Sequence, residues 1–332
     1  MQPFAYHRAR DASDAIHIAQ SETSTAQFIA GGTNMLDYMK LNVLKPDRLV
    51  DINALAKDVH GQIIATDQGL RLGALVRMAE AQNHPAIKSD YPVIAESLML
   101  AASQQIRNMA SLAGNVLQRT RCEYFRETSW ACNKRQPGSG CAALDGVNRE
   151  HAVLGGSDKC IATYHGDFAQ ALIALDASVE VAGPTGRRSI PFAKLHRLPK
   201  NTPDIETTLE PGELIAFIDI PSGPHTKRSR YLKIRDRQSY QFALASVAVA
   251  LDLDGDDVRD VRLALGGVAT VPWRAREAEE VLRGKNLDEE TAVKAAEAAF
   301  SDAKGHGHNA FKIPVGKAAV VRALLETKAM RV

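Results

Sequence analysis

All four cysteines of this chain, Cys122, Cys132, Cys141 and Cys160, fall within 39 of its 332 residues. From Leu117 to Gly156 the apolar periodicity seen on either side disappears into a stretch rich in Arg, Cys, Gly and Asn. That stretch is far longer than the roughly 12–15 residues beyond which a connection without secondary structure becomes unusual. Something other than a hydrophobic core must order it, and four thiolates are the usual complement of an iron–sulfur cluster, which cross-links a loop as a structural metal does.

The spacing C-x9-C-x8-C-x18-C contains no close C-x2-C pair, so it matches neither the zinc knuckles nor the ferredoxin runs and does not choose the metal. Arg119, Arg121, Arg126, Lys134, Arg135 and Arg149 suit the excess negative charge of a thiolate-ligated cluster, which weakly favours iron–sulfur. Two disulfides, a single zinc ion and four unligated thiols stay open as alternatives.

The rest of the chain reads as ordinary globular α+β protein, 45% hydrophobic and 24% charged, long enough for two or three domains. With 41 basic and 39 acidic residues the net charge is only +2, which gives no reason to expect nucleic acid. No run approaches the roughly 20 apolar residues that cross a bilayer, so no membrane span is expected. The N-terminus lacks an apolar signal core, which predicts a cytoplasmic site or a periplasmic one reached by co-export with a partner.

A strand at Phe4 and Tyr6, a helix from Asp11 to Ser21, a strand at Ala26 to Ala30 and a helix at Met35 to Leu41 form a first α/β unit. A second lobe opens near Ala56 with a hairpin turning at Asp67 to Gly69, and Pro92 to Ala102 reads as a buried helix. After the cysteine stretch come a helix at Phe168 to Leu175, a strand pair over Ser178 to Ile190 and a strand at Glu213 to Ile220. A linker is expected from Ser222. A hairpin around Asp254-Gly255 follows, then helices at Trp273 to Leu282, Asp288 to Ala303 and Val315 to Lys328. The expected organisation is therefore 1–55, 56–221 with an insertion at about 119–160, and 226–330.

Within the first unit, Ala30-Gly31-Gly32-Thr33-Asn34 passes from a strand directly into a helical pattern. Such a turn can aim backbone N–H groups at a pyrophosphate, although Gly-Gly before a helix is more often only a turn, and the G-x-G-x-x-G fingerprint is absent. A second small-residue loop, Ser111-Leu112-Ala113-Gly114-Asn115, could approach the same ligand. Other sites fare poorly: His306 and His308 have no evident third ligand, and Ser139 lacks the context of a nucleophile elbow.

Taken together, FIAGGTNMLDYMK, RNMASLAGNVLQ and YLKIRDRQSYQFALASVAVAL resemble the FAD-binding subunits of the xanthine dehydrogenase and carbon monoxide dehydrogenase (molybdenum hydroxylase) family, in matching order over nearly the whole chain. The insertion RTRCEYFRETSWACNKRQPGSGCAALDG is most similar to that in the iron–sulfur-containing FAD subunits of bacterial periplasmic aldehyde oxidoreductases. The resemblance implies a two-lobed FAD domain of the vanillyl-alcohol-oxidase type followed by the family's C-terminal α+β domain. It implies that Ile29, Ala30, Gly31, Gly32, Thr33, Asn34 and Met35 cradle the FAD pyrophosphate and that Ala101, Ala102, Ser111, Gly114 and Asn115 line the second loop. It places Asp167, Ile215 and Lys233 near the flavin; without it they would read as a helix cap, a strand core residue and a surface cation. It makes [4Fe–4S] the expected cluster on the four cysteines.

The same resemblance implies a large molybdopterin-binding partner that oxidises the substrate, an aldehyde, and a small [2Fe–2S] partner that relays electrons to the FAD of this chain. No side chain here need be catalytic. NAD-reducing relatives carry an aromatic residue at the place of Ala101, so a ferredoxin-like protein or dioxygen is the expected acceptor. A subunit of the hydroxybenzoyl-CoA reductase type and a zinc-stapled binding module without redox function are the alternatives.

Overall fold

The computed structural model describes residues 1–20 and 25–332. Strands β1 (Ala5–Arg8), β2 (Ala26–Ile29) and β3 (Arg48–Asp51) form a parallel sheet in the order β1-β3-β2. Parallel neighbours need crossovers, and helices α1 (Ala12–Ala19) and α2 (Met35–Lys40) lie in the connections. The Asp11 carboxylate caps α1 by accepting from the Asp14 N–H at 2.8 Å. Ser21, the expected end of that helix, lies outside the described residues.

Five antiparallel strands follow: β4 (Ile63–Thr66), β5 (Gly69–Gly73), β6 (Ser178–Gly183), β7 (Gly186–Pro191) and β8 (Leu214–Pro221), ordered β4-β5-β8-β6-β7. β8 is central because LIAFIDI is apolar on both faces and must be covered on both. Helices α3 (Met78–Asn83), α4 (Pro85–Asp90), α5 (Pro92–Leu100), α6 (Gln104–Met109) and α7 (Leu112–Val116) supply much of the main core. The buried helix stops at Leu100, short of the expected Ala102. Ala101 is extended, and Ala102 is left-handed at φ 46, which a residue with a Cβ adopts only under constraint.

Between α7 and the next long helix the chain is irregular, apart from the single turn α8 (Glu123–Arg126) and isolated bridges that pair Cys132 with Cys141 and Ser157 with Cys160. It is nonetheless packed, with a core of its own built from Tyr38, Phe125, Ala143, Ile161 and the cysteines. Helix α9 (Phe168–Ala174) then returns the chain to the main core.

The last unit is an antiparallel sheet of β9 (Ser229–Ile234), β10 (Ala245–Asp254), β11 (Asp257–Gly266) and β12 (Trp273–Arg274), covered by α10 (Arg276–Leu282), α11 (Glu289–Ala299) and α12 (Lys312–Lys328). Trp273 and Arg274 are strand rather than helix, because they pair with Leu265 and Ala264. α12 begins at Lys312, earlier than its apolar pattern indicates, since Pro314 is tolerated in a first turn. The expected linker from Ser222 is instead a packed turn with His225 and Thr226 buried. The irregular stretch is tied to this unit by Val153 and Leu154 N–H groups on the Val268 carbonyl, at 2.8 and 3.0 Å.

Candidate functional site

The two glycine loops meet across one cleft of about 1360 Å³, larger than the roughly 300–1,000 Å³ that holds a drug-sized ligand. Ile29 through Met35 line one wall; Ala102, Ser111, Gly114 and Asn115 line another, and Ile215 of β8 reaches it too. Glycine is demanded at two of these places. A Cβ on Gly31 would stand 1.9 Å from the Met109 carbonyl oxygen, and Gly32 is left-handed at φ 71.

Polar atoms left without partners mark the cleft as a place for a polar ligand. Asn34 sits at the N-cap of α2 without capping it; its Oδ1 accepts from the Arg119 N–H at 3.2 Å, while its buried Nδ2 has no partner. On the facing loop, Asn115 Oδ1 is likewise buried and unpaired. Buried amide atoms are rarely left so, and a dinucleotide cofactor would satisfy them. The residues present therefore fit FAD: small residues admit its backbone-close phosphates, and the orphaned amides meet its polar groups.

Ala101, Asp167 and Lys233 lie behind the cleft rather than on its lining. The Lys233 Nζ donates to Asp167 Oδ2 at 2.8 Å and to the Leu100 carbonyl at 3.0 Å, and Tyr231 OH donates to Asp167 Oδ1 at 2.6 Å. Lys233 is therefore no surface cation, its side chain being 1% exposed, and Asp167 does not cap α9. Burial and the Asp167 carboxylate push the Tyr231 phenol well above its ordinary range, so it remains a donor. This buried triad holds the end of α5, from which the chain turns through Ala101 to the strained Ala102.

The four cysteines line a second, smaller cavity, and no two are joined. Lys134 and Ala162 line both cavities, so the cysteine site and the cleft share a wall. The Ala162 N–H donates to the Cys160 sulfur at 3.5 Å. Burial still pushes the Cys122 thiol up to about 12 and the Cys160 thiol to about 11. Left alone, these thiols stay protonated; a coordinated metal deprotonates them outright.

Among the described residues no group of three or more His, Cys, Asp or Glu converges closely enough to hold one metal ion. The cysteines surround a common cavity without closing on a point.

Several residues of the site carry no signal in the sequence. His151 Nε2 stands 3.1 Å from Cys122 Sγ, and burial, helped by Lys312, draws the imidazole down to about 4. Asn309 and Lys312, from the last unit, donate to the His151 carbonyl at 3.3 and 3.1 Å. Asp37 of α2 pairs with Arg121 and Arg126 on either side of Cys122. Such contacts join residues far apart in the chain, and no spacing rule could find them.

Two family models cover the chain: the FAD binding domain in molybdopterin dehydrogenase matches residues 2–223, and the CO dehydrogenase flavoprotein C-terminal domain matches residues 230–327. The chain is 45% identical over 331 residues to the aldehyde oxidoreductase FAD-binding subunit PaoB of Escherichia coli, covering 99% of each. It is 25% identical to the carbon monoxide dehydrogenase medium chain of Hydrogenophaga pseudoflava, covering 90% of this chain and 86% of that one. The fold matches the carbon monoxide dehydrogenase structure from that organism with a TM-score of 0.77 at 24% identity, over 99% of this chain and 98% of that one. The cleft with its two glycine loops thus has a family behind it, and the chain belongs to the FAD-binding subunits of the molybdenum hydroxylases.

Proposed function

We propose that this chain is the electron-transfer subunit of a molybdenum-dependent aldehyde oxidoreductase, and that Cys122, Cys132, Cys141 and Cys160 hold a [4Fe–4S] cluster beside its FAD. The observation that supports this reading is the shared wall: Lys134 and Ala162 line both the cleft and the cysteine cavity, so a cluster held there would lie beside the FAD. The substrate follows from the likeness to the aldehyde oxidoreductase subunit, which extends through the cysteine stretch.

In this reading a large molybdopterin-binding partner oxidises the aldehyde, and a small [2Fe–2S] partner delivers electrons to this chain. FAD, when bound, supplies the conversion between one- and two-electron transfer. The protein's own part is positional. Ile29 to Met35 and Ser111 to Asn115 hold the cofactor's polar groups, and Ile215 and Ala102 bound the cleft. The Lys233–Asp167–Tyr231 triad fixes the turn behind it. The acceptor is a ferredoxin-like protein or dioxygen.

Metal and flavin analysis of the purified protein tests the reading. FAD with about four iron and four sulfide per chain is expected. A colourless preparation holding one zinc and no flavin would refute it.

A further inference from the structure

We infer that His151 donates a hydrogen bond from Nε2 to the Cys122 sulfur and thereby raises the reduction potential of the cluster those cysteines hold. The inference rests on the iron–sulfur reading given above. Among the described residues His151 is the only side chain that hydrogen-bonds a cysteine sulfur, at 3.1 Å and wholly inside the protein.

Geometry assigns the donor. The other ring nitrogen, Nδ1, is buried without a partner. A proton placed there would leave an N–H with no acceptor and would turn the Nε2 lone pair toward a thiolate. Placed on Nε2, the same proton meets the sulfur. Unpaired buried N–H groups are the rarer and costlier defect, and a donor to a negatively charged acceptor makes the stronger bond.

The ring has little freedom to leave. The Lys312 Nζ donates to the carbonyls of Glu150 and His151, each at 3.1 Å, and to that of Gly267, and Asn309 Nδ2 donates to those of His151 and Ala152. The last unit of the chain thus holds the backbone of this loop and sets the imidazole against the sulfur. An N–H···S bond draws charge from the thiolate and so favours the more reduced, more negative state of a cluster.

The test is a redox titration of the full-length chain, followed by low-temperature EPR with iron and sulfide analysis. His151→Phe is expected to keep its iron and sulfide while its midpoint moves negative. At a fixed ambient potential the reduced-to-oxidised ratio should fall on the order of tenfold, which is about 59 mV for one electron. His151→Gln, which keeps an N–H donor, should recover part of the shift. An unmoved midpoint with iron retained overturns this inference alone, and loss of iron from His151→Phe overturns it by making the residue a ligand. Absence of iron and sulfide from the unchanged chain overturns the cluster reading along with it. Should His151→Phe fail to fold, the unchanged chain labelled with 15N-histidine serves. A weak nitrogen coupling in the reduced signal supports the hydrogen bond, whereas no coupling, or the strong coupling of an iron–nitrogen bond, overturns it.

Discussion

Arg77 Nη2 donates to Asn53 Oδ1 at 2.9 Å, and this bond joins the two glycine loops. From Asn53 the link continues through Nδ2 to the Ala30 carbonyl at 2.9 Å; from Arg77 it continues through Nη1 to the Met109 carbonyl, just before the second loop. The guanidinium fork is what lets one residue hold two loops.

Arg77→Ala should therefore widen the cleft and weaken FAD binding. A hydrogen bond to a charged group contributes about 1.5–3 kcal/mol, so the dissociation constant should rise at least on the order of tenfold. Flavin fluorescence on dilution reads it directly. Arg77→Lys should recover only part of the loss, and wild-type affinity in Arg77→Ala would contradict the link.

Gly31→Ala should be the most damaging single-methyl change in the first loop, since its Cβ would lie 1.9 Å from backbone that cannot swing aside. Overpacking of this kind costs about 1–3 kcal/mol. Gly114→Ala should be milder, because its Cβ meets only the Ser111 Oγ at 2.9 Å. Flavin content per chain and melting temperature rank the two, and equal behaviour would count against the packing argument.

If the four cysteines hold the proposed cluster, Cys132→Ser should lose its visible absorption and much of its iron while most FAD stays bound, because Cys132 lines the small cavity and not the cleft. Unchanged iron content would exclude Cys132 as a ligand.

Asp37 gives the pH dependence. The Arg126 guanidinium, with Arg121 beside it, holds the Asp37 carboxyl below the usual carboxylate range, against its partial burial. Its stabilisation is therefore fully present above an unfolded pKa of about 3.9 and is lost as pH falls through the lower folded value. The carboxylate side chain is 32% exposed, so solvent screening leaves the pair roughly 1 kcal/mol. Asp37→Asn should lower the melting temperature by about 1–2 °C at neutral pH, and the gap should close in acid. A gap that persists at low pH would mean the carboxylate charge is not its source.

Periodicity carries most of the fold into view, because strands with one or two apolar faces and amphipathic helices follow from local pattern. β8 and the β10–β11 hairpin are legible in this way. Errors fall where a distant partner decides: Trp273 and Arg274 are strand only because β11 offers an edge, and the stretch after Ser222 packs only because His225 and Thr226 find a core.

The sequence by itself determined that four cysteines share a cause, that two glycine turns can approach a ligand, and, through resemblance, that FAD belongs here. Residue type and spacing suffice for the first two conclusions; FAD rests on the resemblance. Only the tertiary structure decided that both glycine loops line one cleft and that the cysteine cavity shares its wall. The same holds for His151 facing Cys122 and for Lys233 lying behind the cleft, clamped to Asp167. The physical reason is that hydrogen bonds and packing act over a few ångströms in space, and the residues they join here are separated by as many as 162 positions along the chain.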